Sequence, residues 1–118
     1  MIDNLLHEAM TRDAVLQALS RHIGRERGVT ARQLVIEIVG ASSAGMERQL
    51  RHCVERLRDE GIAVCADPSA GYHIARDIDE LQLSIRFLTD RIATTARQVR
   101  ALRKLARPAL SGQTRFLL

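Results

Sequence analysis

The chain has 118 residues, enough for one compact domain with an appendage but too few for two ordinary domains. An apolar content of 46% excludes a globally disordered chain, and 3% aromatics with no Trp argue against a binder of single-stranded nucleic acid, which stacks bases on aromatic rings. The net charge of +4 is carried by arginine, with Lys104 the one lysine, and favours an anionic partner, nucleic acid first, although an ordinary soluble protein can carry as much.

Residues 1–10, "MIDNLLHEAM", read as a short helical segment with Ile2, Leu5, Leu6 and Ala9 as its apolar positions. The early Asp3 and the lack of a long apolar run set it apart from a signal peptide. The longest apolar stretch, "LVIEIVGA", contains Glu37 and is far too short to span a bilayer. A cytoplasmic protein with no membrane partner is the resulting expectation. "TRDAVLQALSRHIG" predicts a helix capped by Thr11, with Val15, Leu16, Leu19 and Ile23 at helical spacing and Gly24 at its end. "RERG" (25–28) is a polar link. Thr30 and Gln33 then have the spacing of a capping box, opening a helix with Leu34, Val35 and Ile38 inside and Gly40 as its close. After the turn "GASSAG" (40–45), a third helix is predicted from about Met46 to Glu60, with the stripe Leu50, Cys53, Val54 and Leu57, stopped by Gly61.

Beyond Gly61 the apolar period changes from 3.6 to 2. Ile62 and Val64 alternate with Ala63 and Cys65, "DPSAG" (67–71) supplies turn residues, and Tyr72 and Ile74 share a face on the return. Three helices followed by a hairpin have the order of a winged helix-turn-helix. The stretch "TARQLVIEIVG…MERQLRHCVERLRDEGIAVCADPSAGYHIA" resembles the winged-helix DNA-binding domain at the start of biotin operon repressors, most specifically in "LRDEGI" followed by a short turn and "GY". The resemblance covers about residues 11–76. The whole chain is also similar to small proteins of bacteriophages and prophages. DNA binding is what the resemblance implies. Two departures accompany it: the link from Gly40 to Met46 is longer than the usual turn between the two helices, and Ala70 stands where relatives place Lys or Arg before Gly-Tyr.

With Leu50, Val54 and Leu57 facing inward at 100° per residue, Arg48 and His52 point outward from the third helix, flanked by Gln49 and Arg51. These are the candidate major-groove residues, since Arg pairs with guanine, Gln with adenine, and a recognition helix reads bases with its N-terminal half. Glu55 and Asp59 occupy the rear of the same face; the plainer reading is a solvated face with pairs such as Arg51–Glu55. Arg12, Arg32, Arg76 and the arginines of "RERG" are candidate phosphate contacts. His7, His22 and His73 read as surface or boundary residues. Cys53 and Cys65, not in a CxxC pair, read as buried small hydrophobes rather than as metal ligands with His52 or His73. No cofactor is expected. No nucleophile–base pair or phosphate loop stands out, so an enzyme is not expected either.

Asp77 and Glu80 make a second capping-box start, and helical pattern runs from there to Ala106, with Pro108 marking its end: a rod of roughly 45 Å. Read as heptads, Ile78, Leu81, Ile85, Leu88, Ile92, Thr95, Val99, Leu102 and Ala106 form an a/d seam, with Ile at a and Leu at d favouring two parallel strands. Residues 77–107 are therefore expected to form a dimerisation helix. Its first part packs on its own domain and the rest meets a second copy, with Ile2, Leu5, Leu6 and Ala9 available to fill the same bundle. In the tail, residues 108–118, Gln113 through Leu117 loosely resemble the bacterial sliding-clamp-binding peptide, with Thr where that motif prefers Leu. A protein partner through the tail stands against the plainer reading of a tail packed on the bundle or simply disordered. The fold expected is thus mainly α with a small β-hairpin, and the function a homodimeric, sequence-specific binder of double-stranded DNA, as transcriptional regulator or phage replication or genome-maintenance factor. The alternative is a winged-helix module that binds protein instead of DNA.

Overall fold

The computed structural model describes the backbone of residues 2–110 and the side chains of residues 5–107. In order, the elements are α1 (Ile2–Ala9), α2 (Arg12–Leu19), a 3-10 turn at Arg25–Arg27, α3 (Ala31–Val39), α4 (Ala44–Asp59), β1 (Val64–Asp67), β2 (Gly71–Ile74) and α5 (Ile78–Leu110). The chain is mainly helical, with one antiparallel hairpin and a long C-terminal helix. It divides into two units, residues 1–84 and 85–118.

Polar side chains satisfy the free N–H groups at the helix starts. Thr11 caps α2 by accepting from Ala14 N at 3.1 Å, and Ser43 caps α4 by accepting from Met46 N at 3.2 Å. Thr30 and Gln33 form the reciprocal box on α3, both bonds at 3.1 Å. The end of α4 is a Schellman turn: Gly61, at φ +93°, donates to the Arg58 carbonyl, and Ile62 donates to the Leu57 carbonyl, both at 3.0 Å.

Helices α2, α3 and α4 pack together around Val15, Leu19, Leu34, Val35, Leu50, Val54 and Leu57, and the hairpin closes the open side with Val64. The hairpin register pairs Val64 with Ile74, Cys65 with His73 and Asp67 with Gly71. Gly71, at φ +77°, also lies so close to the backbone of Val29 that a Cβ would collide with it, which leaves glycine as the residue this turn accepts.

Several sequence expectations are corrected. The first long helix was expected to reach Gly24, but α2 ends at Leu19. His22 O and Gly24 N are taken by β2, accepting from Ile74 N and donating to Ile74 O, both at 2.8 Å, and Val29 exchanges two further bonds with Tyr72. The "RERG" link is therefore a 3-10 excursion between two bridges to β2. Helix α4 starts at Ala44, two residues before Met46, which shortens the link to residues 40–43. In α1, Leu6 packs on the core of the N-terminal unit, and Met10 just after it is buried. His73 is buried, at 1% exposure, because the first turns of α5 cover the second face of the hairpin: Ser84 is buried too, and its Oγ accepts from Ala66 N at 3.3 Å.

At the start of α5, Asp77 accepts from Glu80 N at 2.9 Å, but the Glu80 carboxylate does not complete a capping box. It accepts instead from the backbone N–H groups of Arg25 and Arg76, at 3.0–3.1 Å. The helix also continues past Pro108 to Leu110. Proline leaves the Lys104 carbonyl without its helical donor, at an exposed residue near the helix end. The clamp-like peptide from Gln113 to Leu117 lies outside the described residues.

Candidate nucleic-acid interface

Helix α4 buries Met46, Leu50, Cys53, Val54 and Leu57 on one side. At 100° per residue the opposite side is centred on Arg48, Glu55 and Asp59, with His52 beside them. Arg48, Arg51 and His52 are exposed and Gln49 is half-buried. His52 sits 3.8 Å from Glu55 at the rear of the face. The Arg51–Glu55 pair does not form. Arg51 and Arg58 flank the hairpin side of α4: burial pushes the Tyr72 phenol up from its ordinary pKa, and Arg58 and Arg51 oppose that rise from nearby. Arg58 also donates to the Val64 carbonyl at 2.8 Å, fixing the end of the helix to the first strand.

Most other arginines of this unit are matched by acids. Arg12 is bonded to Glu60 and to Asp13, and Arg76 to Glu26. Arg25 reaches Asp67 at 3.1 Å, and Arg21 reaches Glu37 at 2.7 Å. Among the phosphate candidates, Arg12, Arg25 and Arg76 thus have compensated charges. Arg27, Arg32, Arg48 and Arg51 pair with no carboxylate among the described residues.

These pairs build a clasp that holds the unit closed. Burial pushes the Asp67 carboxyl up, but Ala70 N–H, the Arg25 guanidinium and Ser69 N–H outweigh it and hold Asp67 below its ordinary pKa. The backbone N–H groups of Arg76 and Arg25 hold Glu80 low against a smaller opposing effect of burial. Glu37 is likewise raised by burial and more strongly lowered by its hydrogen bonds to His22 and Arg21. His22 is half-buried, a boundary position as expected, and bridges the Arg27 carbonyl and Glu37, each at 2.8 Å. Asp67 spends its carboxylate on the hairpin turn and on Arg25, so the tip, residues 67–71, offers no free charge of either sign. Sequence reasoning missed the clasp because its members are far apart in the chain.

No family model, curated protein or solved structure matches the chain. The reading of α4 therefore rests on its own geometry. Cys53 and Cys65 are free and buried, and burial raises both thiol pKa values, the state of small apolar core residues rather than reactive thiolates. Among the described residues no group of three His, Cys, Asp or Glu is placed to hold a metal ion, and no helix is long and apolar enough to cross a membrane.

In the second unit, the seam expected for dimerisation is uncovered. Ile85, Leu88, Ile92, Val99 and Leu102 are exposed, Ile92 to 70% and Leu102 to 65%. In the first unit Ile78 is exposed and Leu81 half-buried, so α5 turns Glu80, Leu81 and Ser84 toward the hairpin and leaves Ile78 out. Charge divides sharply between the units. Residues 1–84 hold 13 carboxylates against 10 arginines, net −3, whereas residues 85–118 hold 8 basic residues against Asp90, net +7.

Proposed function

We propose that the protein is a cytoplasmic, homodimeric, sequence-specific binder of double-stranded DNA, a winged helix-turn-helix with α4 as its recognition helix. Its role would be that of a transcriptional regulator or a phage replication or genome-maintenance factor, without enzymatic activity. The observation that carries the reading is positional: half of the unit's ten arginines are held in ion pairs, and the front of α4 keeps Arg48 and Arg51 unpaired among the described residues. A free guanidinium on an outward helix face can take guanine O6 and N7 together, and Gln49 beside it suits adenine. Arg27 and Arg32 supply orienting contacts to phosphate. The uncovered seam from Ile85 to Leu102 supports a second copy as its partner, which would present two recognition helices to a twofold-related site.

A protein-binding module is the second reading, favoured by the net −3 of residues 1–84 and by Glu55 and Asp59 on the rear of α4. Selection of bound duplexes from a random pool separates the two. Enrichment of a palindromic sequence supports DNA recognition; recovery of no duplex, even at low salt, transfers the proposal to a protein partner.

A further inference from the structure

The net charge of the whole chain conceals where the positive charge lies. Beyond Ser84 the helix carries Arg86, Arg91, Arg97, Arg100, Arg103, Lys104 and Arg107 against the single acid Asp90. All of these basic residues are exposed, and none pairs with a carboxylate among the described residues. Their placement is ordered. With Ile85, Ile92 and Val99 at a and Leu88 and Leu102 at d, Arg86, Arg100 and Arg107 take b, and Arg97 and Lys104 take f. Those are the outer positions of a two-stranded coiled coil. The apolar seam and the basic arc are thus separate sides of one helix, and closing the seam leaves the arc facing solvent.

We infer that this outer arc is a second, sequence-independent contact for the phosphate backbone of double-stranded DNA. The inference rests on the DNA-binding reading above and deepens it: α4 would choose the sequence, and the long helix would supply most of the electrostatic attraction. From Arg86 to Arg107 the arc extends about 30 Å along the helix axis, close to one turn of B-form duplex. Its residues are almost all arginine, whose fork grips phosphate oxygens in pairs. A membrane surface is the competing partner for a basic amphipathic helix. It is less well matched here, because the apolar stripe is only as wide as a coiled-coil seam and Phe87, the one aromatic residue of this helix beyond Ser84, lies off it.

The test uses the full chain with Arg97→Gln, Arg100→Gln and Lys104→Gln combined. Glutamine keeps helix propensity, and sedimentation checks that association is unchanged. Binding is titrated at several salt concentrations on a selected and a scrambled duplex, and on vesicles of phosphatidylcholine with phosphatidylserine. The expected result is that the triple variant loses affinity by the same factor on both duplexes. The slope of log K against log salt should become shallower by about 2–3 for each protomer whose arc meets the duplex, roughly one per phosphate contact removed. Wild-type binding to duplex with a slope that the triple variant leaves unchanged overturns the inference and leaves the α4 reading standing. Absence of wild-type binding to either duplex at low salt overturns both. Binding to the vesicles but not to duplex, lost in the triple variant, assigns the arc to a lipid surface and overturns the inference.

Discussion

Residues 1–84 and residues 85–107 spend the same residue types in opposite ways. The first unit buries most of its leucines and valines and ties half of its ten arginines to acids; the second exposes Ile, Leu and Val along one stripe and leaves its arginines unpaired among the described residues. One closes a core of its own and pairs part of its charge, and the other does neither. A total charge of +4 therefore says little about where an anionic partner sits. What decides is which basic side chains lack a partner of their own, and in the first unit these include the front of α4.

The comparison breaks most visibly at the seam. Replacing Ile85 and Ile92 by Asp places charges at the centre of the proposed helix–helix contact, and the association constant should fall by at least about 100-fold. Sedimentation equilibrium reads this directly. A wild-type chain that stays monomeric at micromolar concentration would show the exposed stripe to have another purpose.

The next effect separates the two kinds of apolar residue. Leu50 is fully buried, so Leu50→Ala should cost about 2–5 kcal/mol in denaturant unfolding, from lost transfer energy and the cavity left behind. Leu102→Ala should instead lower the melting temperature only at protein concentrations where the wild type associates, and leave it unchanged below them, because its burial belongs to association. If Leu102→Ala is as costly as Leu50→Ala at every concentration, the second unit is packed within its own chain.

A smaller effect belongs to the caps. Thr30→Ala removes one half of the α3 box and should cost about 1 kcal/mol without altering DNA selection.

The pH response of the clasp comes last, because its pairs are largely at the surface. Glu37, Asp67 and Glu80 have folded-state pKa values below those of the unfolded chain. Their contribution is therefore present above the ordinary carboxylate pKa of about 4 and is lost as pH falls through the lower folded values. Denaturation midpoints measured down the acid limb should drop less steeply in Asp67→Asn combined with Glu80→Gln. An unchanged acid limb would mean that the clasp adds nothing to stability.

What was legible in the sequence was what is local. The Thr30–Gln33 box, the Leu50–Leu57 stripe, the Gly61 stop and the "DPSAG" turn each depend on residues a few positions apart, and each occurs where the pattern places it. The end of α2 was not legible, because its competitor is the edge of β2, which takes the backbone of His22 and Gly24 from fifty residues away in the chain. The burial of His73 was hidden for a similar reason: period-2 alternation marks two faces but not which distant helix covers the second. The candidate site was legible in part. Helical projection placed Arg48 and His52 outward, but it did not reveal that Arg12, Arg25 and Arg76 are engaged by Glu60, Asp67 and Glu26. Charge pairing across the fold needs coordinates, whereas the excess of base over acid beyond Ser84 needs only counting.

The most direct test of α4 as a recognition helix is a titration of wild type and Arg48→Ala on a selected duplex and a scrambled one at fixed salt. Loss of one base-pair contact should cost the variant about 1–3 kcal/mol on the selected duplex, relax choice at one base position, and leave scrambled-duplex affinity almost unchanged. Equal losses on both duplexes, or none on either, would contradict base reading by Arg48.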